Sequence, residues 1–354
     1  MRMLSKKILL SCLLSGLLCF SVACKKKPAP PPVLTRGAEL YQKTCAVCHG
    51  ANGEGYKADQ APRLAQPEFL SSVSDEYLRE AIRNGRAGTT MSAWSVSRGG
   101  PLTPADVEEL IKFLHGLSKA PRAQLNESPL TGDASHGESV YARECYACHG
   151  VRGVGGPNVH IGNPQLVRSA TNGFLRYAIK KGHPGTAMPS FDAKLGDPGI
   201  DDLVTLLRSW VAPAAPIPEP PKAAPIPLGP VPLNPKGPDP VGFKIHPENT
   251  PIDVVHTQLA HGARMVLLDA RAPSDYTNEH IAGAVSTPFY DPNPYFDKLP
   301  KNTWLVAYCA CPHAESGTLA AKLLAAGFKK VTVLDEGLGA WRMKKYGTHT
   351  GEKP

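Results

Sequence analysis

Cysteine is scarce in this sequence once its evident uses are set aside. Of nine in 354 residues, Cys12 and Cys19 lie in an N-terminal apolar run, Cys24 follows it, and four stand in two short motifs. Only Cys309 and Cys311 remain, so nothing is left over for a structural disulfide framework. Long hydrophobic runs are missing too. The apolar stretch 8–20 is too short to favour a spanning helix, and its basic start marks residues 1–23 as a secretory signal. No globular part is basic. The net charge is +8, but Arg2, Lys6, Lys7, Lys25, Lys26 and Lys27 supply six of it. Residues 36–119 hold ten Lys and Arg against ten Asp and Glu, and residues 246–354 hold eleven against eleven. Nucleic acid is therefore excluded as a partner.

What is present falls into segments set off by proline. Residues 24–35 form a stiff Pro-rich tether, and 213–245 a longer linker with twelve prolines between 213 and 240, a composition that favours extended polyproline II. A shorter join, 120–132, separates two units, 36–119 and 133–212. These units are copies. Gly37, Tyr41, Cys45, Cys48, His49 and Gly50 recur as Gly137, Tyr141, Cys145, Cys148, His149 and Gly150, an offset of 100. Each closes on an amphipathic helix: Thr103-Pro104 is an N-cap with Pro at the first helical position, and Leu203, Leu206, Leu207 and Trp210 follow helical spacing in the second. The last segment, 246–348 with a tail 349–354, alternates short β-rich runs (265–268, 304–308, 331–334) with helical stretches such as 316–326. That alternation predicts an α/β domain with a mainly parallel sheet.

Chemistry concentrates in Cys45-Ala-Val-Cys48-His49 and Cys145-Tyr-Ala-Cys148-His149. The spacing puts two thiols on one helical face, where they can add to the two vinyl groups of one haem, and the next residue offers its imidazole to the iron. Zinc is the competing metal, yet no second CxxC or HxxxH follows at finger spacing. Downstream, Met91 in Gly88-Thr-Thr-Met91-Ser-Ala-Trp94 and Met188 in Gly185-Thr-Ala-Met188-Pro-Ser-Phe191 stand in matching loops. A lone Met usually fills a core; two in equivalent loops of a repeat point to axial ligation, with His183 the rival in the second unit. Both units resemble class I cytochrome c domains. The resemblance implies two small all-α folds, two covalently bound haem c groups, His49 with Met91 and His149 with Met188 as axial ligands, and single-electron transfer to redox partner proteins.

The C-terminal segment resembles the rhodanese family through Leu268-Asp-Ala-Arg271, His280-Ile-Ala-Gly-Ala284, Tyr308-Cys309 and Leu334-Asp-Glu-Gly-Leu-Gly-Ala-Trp341. The family's cysteine after the buried strand, which accepts sulfane sulfur as a persulfide, maps onto Cys309. The loop departs from the usual pattern: Pro312 removes a backbone donor, no Arg is present, and Glu315 adds negative charge near a site that receives anions. Cys311 is a second thiol able to resolve a persulfide. The alternative is an inactive rhodanese fold used for docking.

The region before Cys24 resembles a bacterial lipobox, except that Ser21 stands where Leu is usual; Ser21-Val22-Ala23 also suits ordinary signal cleavage. The expectation is a protein of the bacterial cell envelope, facing the periplasm and held to a membrane through lipid on Cys24. Two functions compete. In one, sulfur from a donor is held on Cys309 and oxidised through the haems; in the other, the chain is purely an electron shuttle.

Overall fold

The computed structural model describes residues 34–56, 58, 61–211, 231–310 and 313–354. The signal, Cys24, the tether up to residue 33, most of the Pro-rich linker and Cys311 lie outside these residues. Residues Leu34–Pro354 form one compact unit.

Among the described residues the first copy holds five α-helices: α1 (Arg36–Thr44), α2 (Ala46–His49), α3 (Pro67–Ser72), α4 (Asp75–Asn84) and α5 (Pro104–Gly116). Their starts are set by the capping chemistry of the sequence. Thr35 caps α1 and Ser74 caps α4. At α5, Thr103 and Asp106 exchange hydrogen bonds in a capping box ahead of buried Val107, Leu110, Ile111 and Leu114. Helix α1 crosses α5 at a glycine: a β-carbon on Gly37 would lie 2.2 Å from Glu109 O.

The second copy repeats this with α6 (Ala134–Glu144), α7 (Tyr146–His149), α8 (Pro164–Ser169), α9 (Asn172–Lys181) and α10 (Asp192–Ser209). Gly137 takes the place of Gly37, its β-carbon position 2.4 Å from Asp202 O. Two differences stand out. A two-stranded hairpin, β1 (Gly150–Val151) and β2 (Val154–Gly155), follows the second His motif. Helix α10 bends where Gly196 takes φ 60°, two residues before Pro198.

The copies meet through reciprocal contacts. Helix α3 lies on α9 and α4 on α8, so each copy presents the same two elements to the other. Gln66 Nε2 donates to Pro184 O at 3.3 Å, and its counterpart Asn163 Nδ2 donates to Ala87 O at 2.8 Å. Phe174 fills the centre, 6.1 Å from the Phe69 ring and 5.2 Å from Tyr77. This is the geometry of a two-fold homodimer built within one chain. The join between the copies is bound rather than loose: Arg122 donates to Leu70 O and Val73 O, and Arg176 donates to Asn126 O, Ser128 O and Pro129 O.

The third segment contains β3 (Asn249–Thr250), α11 (Ile252–Ala260), β4 (Met265–Asp269), α12 (Pro273–Asn278), β5 (His280–Ile281), β6 (Val285–Ser286), β7 (Trp304–Tyr308), α13 (Ala314–Ala325), β8 (Val331–Leu334), α14 (Gly337–Met343) and β9 (Thr348–His349). Five strands form a parallel sheet in the order β3-β8-β7-β4-β6. Every residue of β4 and β8 is buried, as expected for strands covered on both faces. Part of the segment expected to be linker up to 245 makes contacts with this domain. Leu233 exchanges backbone hydrogen bonds with Met265, and Asp239 pairs with Arg264 and Lys330. The tail is also bound: β9 pairs with β5, and Gly351 N donates to Thr277 O at 2.7 Å.

The α/β segment docks on the first copy through the Met91 loop. Trp94 lies 5.5 Å from the Tyr290 ring and 6.4 Å from Phe289, while Ser92 Oγ donates to the Asp275 carboxylate.

Candidate functional site

Helices α2 and α7 are single turns that carry the two CxxCH motifs, each braced by a tyrosine one helix earlier. Tyr41 Oη donates to Gly50 O at 2.9 Å, and Tyr141 Oη to Gly150 O at 2.8 Å. The imidazoles are oriented in the same way. His49 Nδ1 lies 2.9 Å from Pro62 O, and His149 Nδ1 lies 2.9 Å from Val159 O. An Nδ1–H donated to a carbonyl fixes the tautomer and leaves Nε2 as the ligand atom. Burial holds both rings toward their neutral, ligand-competent form. Burial also pushes the Cys45 and Cys145 thiols up to about 11, marking apolar surroundings for the attachment points.

Both sites open into one continuous cavity of about 880 Å³, whose lining includes Cys45, Cys48, His49 and Met91 from one copy and Cys145, Cys148, His149 and Met188 from the other. The Met loops are built alike: Met91 N–H donates to Thr89 Oγ1 and Met188 N–H to Thr186 Oγ1, each at 3.2 Å. His183, the rival ligand, lines the same cavity, and its backbone N–H donates to Met188 O at 2.9 Å. The residues fit a haem c at each motif: paired thiols, an oriented neutral imidazole, a thioether and an apolar chamber. Among the described residues no cluster of three or more His, Cys, Asp or Glu side chains is placed to hold a bare metal ion.

Cys309 follows β7 and is fully buried, its Sγ 3.3 Å from Ser316 Oγ at the start of α13. Residues beside it, Ala310 and Glu315, line the same cavity as the haem motifs. Helix α13 touches α2 directly. The sequence suggests a negative charge at Glu315. The structure corrects this: burial pushes its carboxyl well above the usual carboxylate range, so it is held toward the neutral acid. The loop lacks an arginine, yet Arg271 reaches the site from the end of β4. It forms a bidentate pair with buried Asp269, at 2.9 Å and 2.6 Å, and Tyr308 Oη donates to the same carboxylate at 2.8 Å. Arg271 belongs to the Asp-Ala-Arg run already noted for its resemblance. Its approach to the Cys309 loop needs the parallel pairing of β4 with β7, which brings Asp269 opposite Tyr308.

Residues 32–114 and 132–207 match the family described as cytochrome c oxidase, cbb3-type, subunit III, and residues 253–344 match the rhodanese-like domain. The chain therefore carries two cbb3-type cytochrome c domains followed by a rhodanese-like α/β domain. Among curated relatives, the cbb3-type cytochrome c oxidase subunit FixP of Bradyrhizobium sp. (strain ORS 278) is 26% identical over 184 residues, covering 49% of this chain and 60% of the relative. The CcoP subunit of Rubrivivax gelatinosus is 31% identical over 125 residues, covering 35% of this chain and 36% of the relative. The chain thus spans at most about 60% of the length of these relatives. Among solved structures, a rhodanese-like domain from Anabaena sp. aligns at 29% identity over 29% of this chain and 78% of that chain, with a TM-score of 0.27. Among the described residues no helix is long and apolar enough to cross a membrane.

Proposed function

We propose that the protein is an exported dihaem c-type cytochrome that moves single electrons in the bacterial cell envelope, held to a membrane by lipid on Cys24. Its rhodanese-like domain binds sulfane sulfur on Cys309. The observation that carries this is the shared cavity: two sets of CxxCH residues and two Met loops face one chamber, and the loop after Cys309 borders it. Each covalently attached haem supplies a one-electron couple. The chain's own residues do the rest. Cys45, Cys48, Cys145 and Cys148 would attach the groups, His49 and His149 would ligate the iron through Nε2, and Met91 and Met188 would supply the second ligand, a filled set that would favour electron transfer over substrate binding. The relatives named as oxidase subunits support redox partners of the membrane.

At the other end, the Cys309 thiolate attacks a donor's sulfane sulfur. The donor's S–S bond breaks, a new S–S bond forms at Cys309, and the donor departs as its thiolate, with no net change in oxidation state. With Arg271 paired to Asp269, little free positive charge is left for a dianion such as thiosulfate. A thiol persulfide is the better-matched donor.

Full burial of Cys309 favours the alternative, a docking module. The two readings part on one measurement. The purified full-length protein, with two haems confirmed by mass and by pyridine haemochrome, is mixed anaerobically with glutathione persulfide. Cyanolysable sulfur carried by the protein after removal of the donor, and lost in Cys309→Ser, supports the sulfur site. No such sulfur, or as much in Cys309→Ser, favours the shuttle. Absence of covalent haem would overturn both.

A further inference from the structure

Two guanidinium groups in the first cytochrome domain carry buried N–H groups that find no hydrogen-bond acceptor among the described residues. Arg63 Nε and Arg86 Nη1 and Nη2 are buried with no acceptor among the described residues, and both side chains line the cavity. They are held in place. The Arg86 guanidinium carbon lies 4.8 Å over the Tyr77 ring, and its backbone N–H donates to Met91 O at 2.9 Å. Arg63 follows Pro62, whose carbonyl lies 2.9 Å from His49 Nδ1, and its Nη1 lies 3.5 Å from where a β-carbon on Gly185 would stand. Buried cationic donors without partners are tolerated where an anion completes them.

The second domain does not repeat the pair. Val159 O meets His149 as Pro62 O meets His49, which makes His160 the counterpart of Arg63. His183 N–H donates to Met188 O as Arg86 N–H donates to Met91 O, which makes His183 the counterpart of Arg86. Both imidazoles line the cavity. An imidazole is shorter, cannot form a two-pronged bond to a carboxylate, and carries no permanent charge.

We infer that Arg63 and Arg86 form a carboxylate clamp for the propionate groups of the haem attached at Cys45 and Cys48, and that this site therefore holds an electron more tightly than the second. This rests on haem being attached at both motifs. Unpaired propionates favour the oxidised, more positive iron; pairing them with fixed guanidinium groups removes that bias.

The test is a spectroelectrochemical titration of the full-length protein carrying two haems, compared with the double variant Arg63→Gln/Arg86→Gln. Haem content is measured on the same samples, so failed attachment is told apart from an unmoved potential. The wild type is expected to give two one-electron waves. The double variant should lower only the higher wave, by about tenfold in the reduced-to-oxidised ratio, about 59 mV for one electron. Arg63→Lys/Arg86→Lys should restore part of the shift. The reciprocal change, His160→Arg/His183→Arg, should raise the lower wave, and it decides the matter if the glutamine variant loses its haem. Waves unmoved by both sets, or a shift confined to the lower wave in the glutamine variant, would overturn the clamp.

Discussion

At the scale of single residues, burial decides chemistry that composition leaves open. Glu315 reads as a charge from its letter, but its burial pushes its carboxyl upward, and this has a measurable consequence. Its folded pKa lies above the ordinary 4.5, so the folded state binds the proton more tightly than the unfolded chain. Stability is then fullest below that ordinary value and falls as pH rises toward the folded one. Glu315→Gln should flatten this fall, raising the urea midpoint of the α/β transition at about pH 8 more than at about pH 5. An equal shift at both pH values would mean that Glu315 is ionised in the fold. The two CxxCH turns are legible in the sequence, since CxxCH is a local motif whose spacing holds its own reason. The positions of Arg63 and Arg86 were not legible in this way. Counting by the offset of 100 pairs them with Asn163 and Thr186. The true offset past the motif is 97, because 13 positions separate His49 from Pro62 and only 10 separate His149 from Val159.

Among elements, the same two helices close each cytochrome domain, and a glycine sets how near they come. Gly37 on α1 and Gly137 on α6 each face a backbone carbonyl of the closing helix. A methyl group there must push two helices apart. Gly37→Ala is expected to cost about 1–3 kcal/mol and to lower the thermal midpoint followed at the first haem's absorbance. A change below about 0.5 kcal/mol would show that the crossing yields freely. The closing helices were readable because caps and hydrophobic spacing act within a few residues: Thr103 with Asp106 at one start, Leu203 through Leu207 along the other. Strands β4, β7 and β8 were readable as short β-rich runs bounded by turns. The hairpin after His149 was not. It consists of two-residue strands too brief to leave a periodic trace. Residues 231–245 read as spacer because they continue a proline-rich stretch, yet Leu233 finds a backbone partner in Met265.

For the molecule as a whole, the contacts that matter join segments far apart in sequence, and no local pattern announces them. Phe174 reaches across the repeat to Phe69 and Tyr77, and Trp94 reaches the α/β domain at Phe289 and Tyr290. Removing the first of these rings should loosen one copy from the other without touching either haem motif. Phe174→Ala is expected to destabilise the cytochrome pair by about 3–5 kcal/mol. Stopped-flow reduction should also show two separated phases where the wild type gives one. A single unchanged phase would mean that electrons do not cross this interface.

The reciprocal contacts between the copies also explain how one chamber can hold two unlike centres. In a true two-fold dimer of identical chains, every substitution is made twice, so its two centres are bound to have the same affinity for an electron. Joining the copies in one chain releases that bond. Arginines can accumulate on one side and histidines on the other while the mating surface stays intact. The two centres of one chamber can thereby differ in their hold on an electron, and the tighter one belongs to the domain whose α2 touches α13.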